Sequence, residues 1–242
     1  MSLIDPERVN VESASLIASE SEENNSVAIM VGGTTLISSE HLDSIVQGIK
    51  RIVNIPVVLF PNNITGISKH ADAIWFMSLL NSADPYFICG AQILAAPLVK
   101  RFGLEAISLG YIIVGEGGAA AVIGKASPVP YNKPELAVSH ALAAKYLGMH
   151  FVYLEAGSGV NKPVPPEMVG MVKETVDVPL VVGGGIRTRR QARDTANAGA
   201  DIIVTSTALE QVDKDHLREK IKDITEGIKE GVNNRYKHKE RV

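Results

Sequence analysis

Eight short runs rich in apolar and β-branched residues recur along the 242-residue chain, most separated from the next by a stretch long enough for a helix. They read as strands at Ser2–Ile4, Val27–Val31, Val57–Phe60, Ala73–Leu79, Ala106–Val114, Phe151–Glu155, Leu180–Val182 and Asp201–Thr205. Most are apolar throughout instead of alternating, the pattern of parallel strands covered by helices. Helical spacing fills Arg8–Ser19, Ser39–Arg51, Pro85–Phe102, Lys133–Leu147, Pro166–Thr175, Arg189–Ala198 and Asp213–Glu230. Ser38-Ser39-Glu40 supplies N-cap chemistry, and Gly103, Gly148 and Gly199 stand where helix C-caps are wanted. A repeated strand–helix unit gives a parallel sheet, and eight such units close a (β/α)8 barrel of about 250 residues. The expected fold is one TIM-type α/β barrel over residues 1–242, with a basic tail from about 232.

One interval departs from the alternation. Only twelve residues, Pro61 to Asp72, separate the third and fourth runs, and they include Pro, Gly and two Asn. No full covering helix fits there. The outer ring should have a gap on that side, either as a plain surface loop or as a groove for a long apolar ligand against the barrel wall.

Hydrophobic residues make up 45% of the chain and charged ones 21%, enough to build a large core. A net charge of −3 provides no general attraction for nucleic acid. Met1-Ser-Leu-Ile is followed at once by Asp5-Pro-Glu-Arg, which does not resemble a secretory leader, and the uncharged apolar stretch Pro85–Val99 is too short to span a membrane. A cytoplasmic protein without transmembrane segments is expected. The single cysteine, Cys89, lies in an apolar stretch and reads as a buried structural thiol. The basic end, Arg235 to Arg241, reads as a solvated, frayed terminus, with a weak membrane-surface contact as the other reading.

Active sites of such barrels lie where the strands end. Gly183-Gly184-Gly185-Ile186 follows the seventh run and Ser206-Thr207 the eighth, the usual phosphate position of the fold. Glycine turns let main-chain N–H groups converge on an anion, and Ser158, between Gly157 and Gly159, can add another donor. Glu155 closes the sixth run. It suits a general base toward a substrate hydroxyl, or a structural carboxylate bonded to main-chain N–H groups. Tyr153 shares its face and either bonds the substrate or packs in the barrel. Asp5, at the end of the first run, could with Thr34 form a sparse site for a hard cation such as Mg2+, although Asp-Pro is also a routine turn. No His/Cys grouping suggests zinc, and no Ser-His-Asp set is recognisable.

Several segments taken together resemble the geranylgeranylglyceryl phosphate synthase family: Leu3-Ile-Asp-Pro, Ile29-Met-Val-Gly-Gly-Thr, Phe76-Met-Ser-Leu-Leu-Asn-Ser, Tyr153-Leu-Glu-Ala-Gly-Ser-Gly and Val182-Gly-Gly-Gly-Ile-Arg. The resemblance runs to about Leu209. It implies a prenyltransferase of archaeal-type ether-lipid synthesis. Such an enzyme joins the geranylgeranyl group of geranylgeranyl diphosphate to the C3 hydroxyl of sn-glycerol 1-phosphate with Mg2+. On the family pattern Asp5 and Thr34 match the metal positions. Tyr153, Leu154, Glu155, Ala156, Gly157, Ser158, Gly159, Gly184, Gly185, Ser206 and Thr207 match the glycerol-phosphate site, with Glu155 catalytic. The family is described as lacking the third barrel helix and as forming dimers or hexamers, so a homo-oligomer is expected.

Three features depart from that pattern. The short leading helix usual before Leu-Ile-Asp-Pro is missing, so either the start is misassigned or the barrel bottom is closed differently. Arg8 stands where a lysine is common, keeping the charge but changing the geometry. Ser206 stands where glycine is usual, and a positive φ there would be strained. Three alternatives stay open: a longer prenyl chain, with its limit set by Trp75 or Phe87; a phosphosugar isomerase or lyase on the same barrel; or a catalytically silent phosphate-binding barrel.

Overall fold

In a computed structural model, which describes residues 1–35 and 38–239 and side chains as far as Lys237, the strands pair in parallel in chain order. They are β1 (Ser2–Ile4), β2 (Ile29–Val31), β3 (Val57–Leu59), β4 (Ala73–Leu79), β5 (Glu105–Ile113), β6 (Phe151–Glu155), β7 (Leu180–Gly183) and β8 (Ile202–Val204). A single parallel bridge, Ser2 to Thr205, closes the last seam. The helices are α1 (Val11–Glu23), α2 (Ser39–Lys50), α3 (Ala91–Phe102), α4 (Gly118–Ile123), α5 (Pro134–Tyr146), α6 (Pro166–Thr175), α7 (Arg189–Ala198), α8 (Thr207–Glu210) and α9 (Lys214–Lys239). A π-helical turn, Tyr86–Gly90, leads into α3. No described helix is long and apolar enough to cross a membrane.

Alternation along the strands splits the core into two layers. Met30, Trp75, Leu109, Tyr111, Tyr153, Val181 and Val204 fill the barrel, while Ile29, Ile74, Ile112, Leu154 and Val182 pack outward beneath the helices. Continuous burial of both faces explains why the strand segments carry few polar residues. Between β3 and β4 there is only a loop, so the expected gap in the helical ring is present. Gly103 takes a left-handed φ of 69° as the α3 C-cap, and Gly199, at φ 121°, closes α7.

Three expectations need correction. Cys89 is exposed, because the π-helical turn presents it away from the barrel. The region read as one helix from Pro85 is broken into that turn and α3. The chain end read as frayed continues α9 to Lys239, while residues 240–242 lie outside the described part.

The α7–α9 pair depends on glycine. A Cβ on Gly227 would lie 2.3 Å from the Arg189 carbonyl oxygen, and one on Gly231 would lie 2.2 Å from that of Arg193. Backbone cannot yield as a flexible side chain does. Gly227→Ala should therefore destabilise by about 1–3 kcal/mol through overpacking, despite the ~1 kcal/mol by which Ala favours a helix interior. Thermal unfolding checks this: a melting temperature equal to or above the wild-type value would show that the helices separate freely.

Candidate functional site

At the C-terminal rim of the barrel two cavities meet. The larger, about 420 Å³, runs from Asp5 and Thr34 along Phe60, Trp75 and Met77 to Ala95. It is bounded by the loop that replaces the missing helix, through Asn62 and Ile64, and by Ala91 and Gln92 of α3. The smaller, about 40 Å³, is lined by Gly159, Gly184, Gly185, Arg187 and Thr207. Glu155, Ser158 and Ser206 border both. An elongated cleft thus abuts a compact pocket walled in part by glycine turns and hydroxyls, with one carboxylate at the junction.

The small pocket follows from local backbone geometry. Gly157, Gly159, Gly184 and Gly185 adopt φ of 110°, 82°, 81° and 70°, values that L side chains rarely take. Among the described residues no protein acceptor takes up the amides of Ser158, Gly159, Gly184, Gly185 or Thr207, which line the small cavity. The Ser158 and Thr207 hydroxyls are 3.0 Å apart and join the loops after β6 and β8. Arg187 donates to the Gly159 carbonyl at 3.1 Å and is the one cation lining the small cavity among the described residues. Main-chain amides, two hydroxyls and a guanidinium around so small a space suit a phosphoryl group.

Ser206 has φ −133°, so the strain expected of a serine at a glycine position does not arise. Its hydroxyl donates to Glu210 at 2.9 Å. Leu154 and Ala156 are fully buried in the helix-facing layer and line neither cavity. Their side chains are scaffold.

Glu155 is 6% exposed, and Oε1 accepts from the Gly157 amide at 2.6 Å. Both readings of this carboxylate hold at once: one oxygen anchors the glycine loop while the side chain borders both cavities. Burial pushes its carboxyl above the usual 4.5, against the lowering by the Gly157 amide and by the nearby Tyr153 hydroxyl. That hydroxyl has no hydrogen bond of good geometry, and it passes within 2.1 Å of where a Cβ on Gly183 would sit. Tyr153 therefore fills the barrel under the site.

Tyr111 and Phe60 line the cleft, although sequence reasoning did not single them out. Tyr111 pairs with Tyr153 across β5 and β6, ring centroids 5.2 Å apart, and Phe60 packs on both at 5.6 and 5.8 Å. Matching the tyrosines of two adjacent strands on one face is the signal that would have found Tyr111. Glu210 was also missed. It lies one helical turn after Ser206, a spacing that brings the two side chains together.

Asp5 and Thr34 both line the large cleft, and a Cβ on Gly33 would come within 2.5 Å of the Asp5 carboxylate. Burial raises the Asp5 carboxyl, against lowering by the Glu7 amide and Arg8. No cluster of three or more His, Cys, Asp or Glu occurs among the described residues. One carboxylate and a hydroxyl therefore fit a Mg2+ held mainly by substrate oxygens and water, not a protein cage.

Known proteins share this sequence and fold. Over 228 residues the chain is 54% identical to the geranylgeranylglyceryl phosphate synthase of Thermococcus kodakarensis, covering 94% of this chain and 90% of that protein. The enzyme of the same name from Thermofilum pendens is 52% identical, covering 96% of this chain and 90% of its own length. A crystal structure of (S)-3-O-geranylgeranylglyceryl phosphate synthase from Thermoplasma acidophilum in complex with sn-glycerol-1-phosphate superposes with a TM-score of 0.92. It is 40% identical, with 95% of this chain and 92% of that one covered. The model of the PcrB family matches residues 1–228, and with such identity along nearly the whole barrel the chain belongs to that family.

Proposed function

We propose that this chain is a prenyltransferase that joins the geranylgeranyl group of geranylgeranyl diphosphate to the C3 hydroxyl of sn-glycerol 1-phosphate, with Mg2+, in ether-lipid synthesis. The observation that carries this reading is the junction of the two cavities at Glu155. The pocket with free main-chain amides takes the phosphate, the long cleft takes the prenyl chain, and a base stands between them.

The phosphate end of the acceptor is gripped by the amides of Ser158, Gly159, Gly184, Gly185 and Thr207. This remote binding fixes the glycerol hydroxyl beside Glu155 and offsets much of the entropic cost of bringing two substrates together. The C3 oxygen attacks C1 of the prenyl group, the C–O bond to diphosphate breaks with its electron pair, and the hydroxyl proton passes to Glu155. A carboxyl with raised proton affinity is well matched to that task. The Tyr111 and Phe60 rings bordering the cleft can face the developing allylic cation. Asp5 and Thr34 would hold the Mg2+, whose charge offsets the negative charge gathering on the departing diphosphate. No lysine lines either cavity among the described residues, which leaves imine-forming lyase chemistry without its nucleophile.

Incubation with radiolabelled sn-glycerol 1-phosphate, Mg2+ and prenyl diphosphates of several lengths tests the reading. Label should pass into the organic phase, best with geranylgeranyl diphosphate. No transfer at any length would remove the proposal.

Chain length should depend on Phe87, which is half-buried on the cleft wall. Trp75 is the poorer probe because it is buried in the barrel and meets Phe151 edge-to-face, ring centroids 5.2 Å apart. Phe87→Ala is expected to raise kcat/KM for longer diphosphates relative to geranylgeranyl diphosphate by about tenfold, as apolar pockets discriminate by ~1–3 kcal/mol per methylene-sized change. An unaltered ratio would place the limit elsewhere.

A further inference from the structure

The β8–β1 seam is closed differently from its neighbours. Elsewhere adjacent strands form ladders, whereas here there is one bridge, Ser2 to Thr205, with the Leu3 amide donating to the Thr205 carbonyl at 2.8 Å, the Thr205 amide to the Met1 carbonyl at 3.2 Å and the Met1 amino group to the Ile203 carbonyl at 2.8 Å. Yet this seam separates the two halves of the site. Asp5 leaves β1 on one side, and Ser206-Thr207 leaves β8 on the other.

Glu210 closes α8, just after β8, with a side chain only 3% exposed. Its Oε1 accepts from the Asp5 amide at 3.0 Å and from the Ser206 hydroxyl at 2.9 Å. The other oxygen has no hydrogen-bond partner, with Arg8 at 3.7 Å as its nearest cation. A buried carboxylate is costly unless hydrogen bonds and a nearby opposite charge offset its lost hydration. Here one oxygen joins the main chain that carries Asp5 to the main chain that carries Thr207. From Thr207 the connection continues through its hydroxyl to Ser158, 3.0 Å away, and so to the phosphate loop after β6.

We propose that Glu210 is a positioning residue that fixes the Asp5 end of the barrel against the Ser206-Thr207 end, so that the diphosphate side and the glycerol-phosphate side of the site stand at a set separation. It touches neither reacting atom. Its effect passes through the Asp5 amide and the Ser206 hydroxyl. The inference deepens the prenyltransferase reading and rests on it. Ser206, at a position where glycine is usual in the family this chain resembles, then has a defined use: it supplies the second donor to the tie.

The test compares Glu210→Ala, Glu210→Gln and a control, Val172→Ala, which opens a cavity at a buried α6 position outside the site. Binding of sn-glycerol 1-phosphate is measured by calorimetry without any prenyl substrate, and turnover is then followed as Mg2+ is varied. Glu210→Ala should weaken glycerol-phosphate binding and raise the half-saturating Mg2+ concentration, each by about tenfold, the scale of one or two lost hydrogen bonds to a charged group. Glu210→Gln keeps an acceptor oxygen for both donors and should return both values to within about threefold of wild type. Val172→Ala should lower the melting temperature and leave both values unchanged.

Unchanged binding and Mg2+ dependence in Glu210→Ala would overturn the inference, whatever its melting temperature. So would a Gln variant as impaired as the Ala variant, since charge and not hydrogen-bond geometry would then be at work. If Glu210→Ala does not fold, Glu210→Asp, too short to reach both donors, carries the same expectation and the same refutation. Failure of the wild-type protein to transfer any prenyl group would instead sink the reaction assigned above, while the calorimetry would still decide the tie.

Discussion

Glu155→Gln should leave the barrel folded and lower turnover by about 10²- to 10⁴-fold, the usual contribution of a positioned general base. The amide keeps the shape and, through its oxygen, the 2.6 Å bond from the Gly157 amide. It cannot take the glycerol proton. Binding of sn-glycerol 1-phosphate should change little, so the loss falls on kcat and not on KM. A variant with full turnover would remove Glu155 as base and leave it only its structural bond.

The same residue gives a pH signature. Burial raises the Glu155 carboxyl above the ordinary 4.5, so the acid limb of the wild-type rate profile should lie above that value and vanish from the residual activity of the Gln variant. Stability carries a linked sign. The folded carboxyl holds its proton more tightly than the unfolded one, so stability is highest below the unfolded value and is lost as pH rises through the folded one. Glu155→Gln lacks that loss. Its melting temperature relative to wild type should therefore rise across the window above 4.5.

Strand order and the missing third helix were readable because fully buried parallel strands demand unbroken apolar runs, and Pro61–Asp72 offers no helical period. Less readable were features decided by direction. The apolar segment around Cys89 looked like core, but a π-helical turn places that thiol on the outside. Leu154 and Ala156 belong to the motif that marks the phosphate loop, yet strand alternation sends them under the helices. The short helices Gly118–Ile123 and Thr207–Glu210 lack the length over which a period can be recognised. With the second of them Glu210 was overlooked, since its relation to Asp5 exists only once the barrel closes across 205 residues of sequence. Ser206 misled in the other direction. A residue type suggested strain that its actual φ of −133° does not impose.

Gly184→Ala should damage both phosphate binding and the base. At φ 81° the backbone lies in the left-handed region, where an L side chain costs roughly 1–2 kcal/mol. The added Cβ would also sit 2.5 Å from Glu155 Oε1 and 2.6 Å from the Gly157 amide nitrogen. Neither can be avoided by a rotamer change of the new methyl, and the Gly157 amide is itself bonded to Glu155. Relief therefore requires the loop after β6 to move away from the loop after β7, which separates the amides that converge on the phosphate. Loss of one or two such charge-assisted bonds, at ~1.5–3 kcal/mol each, predicts at least about tenfold weaker binding of sn-glycerol 1-phosphate by calorimetry. Turnover should fall further than binding, because Glu155 is displaced by the same shift. Gly148→Ala supplies the contrast: its φ is 79°, but no atom lies within 4 Å of the added Cβ. It should lose stability on the same left-handed scale and retain binding. Equal binding losses in the two variants would mean that backbone strain alone, and not the convergence of the two glycine loops on an anion, accounts for the effect at Gly184.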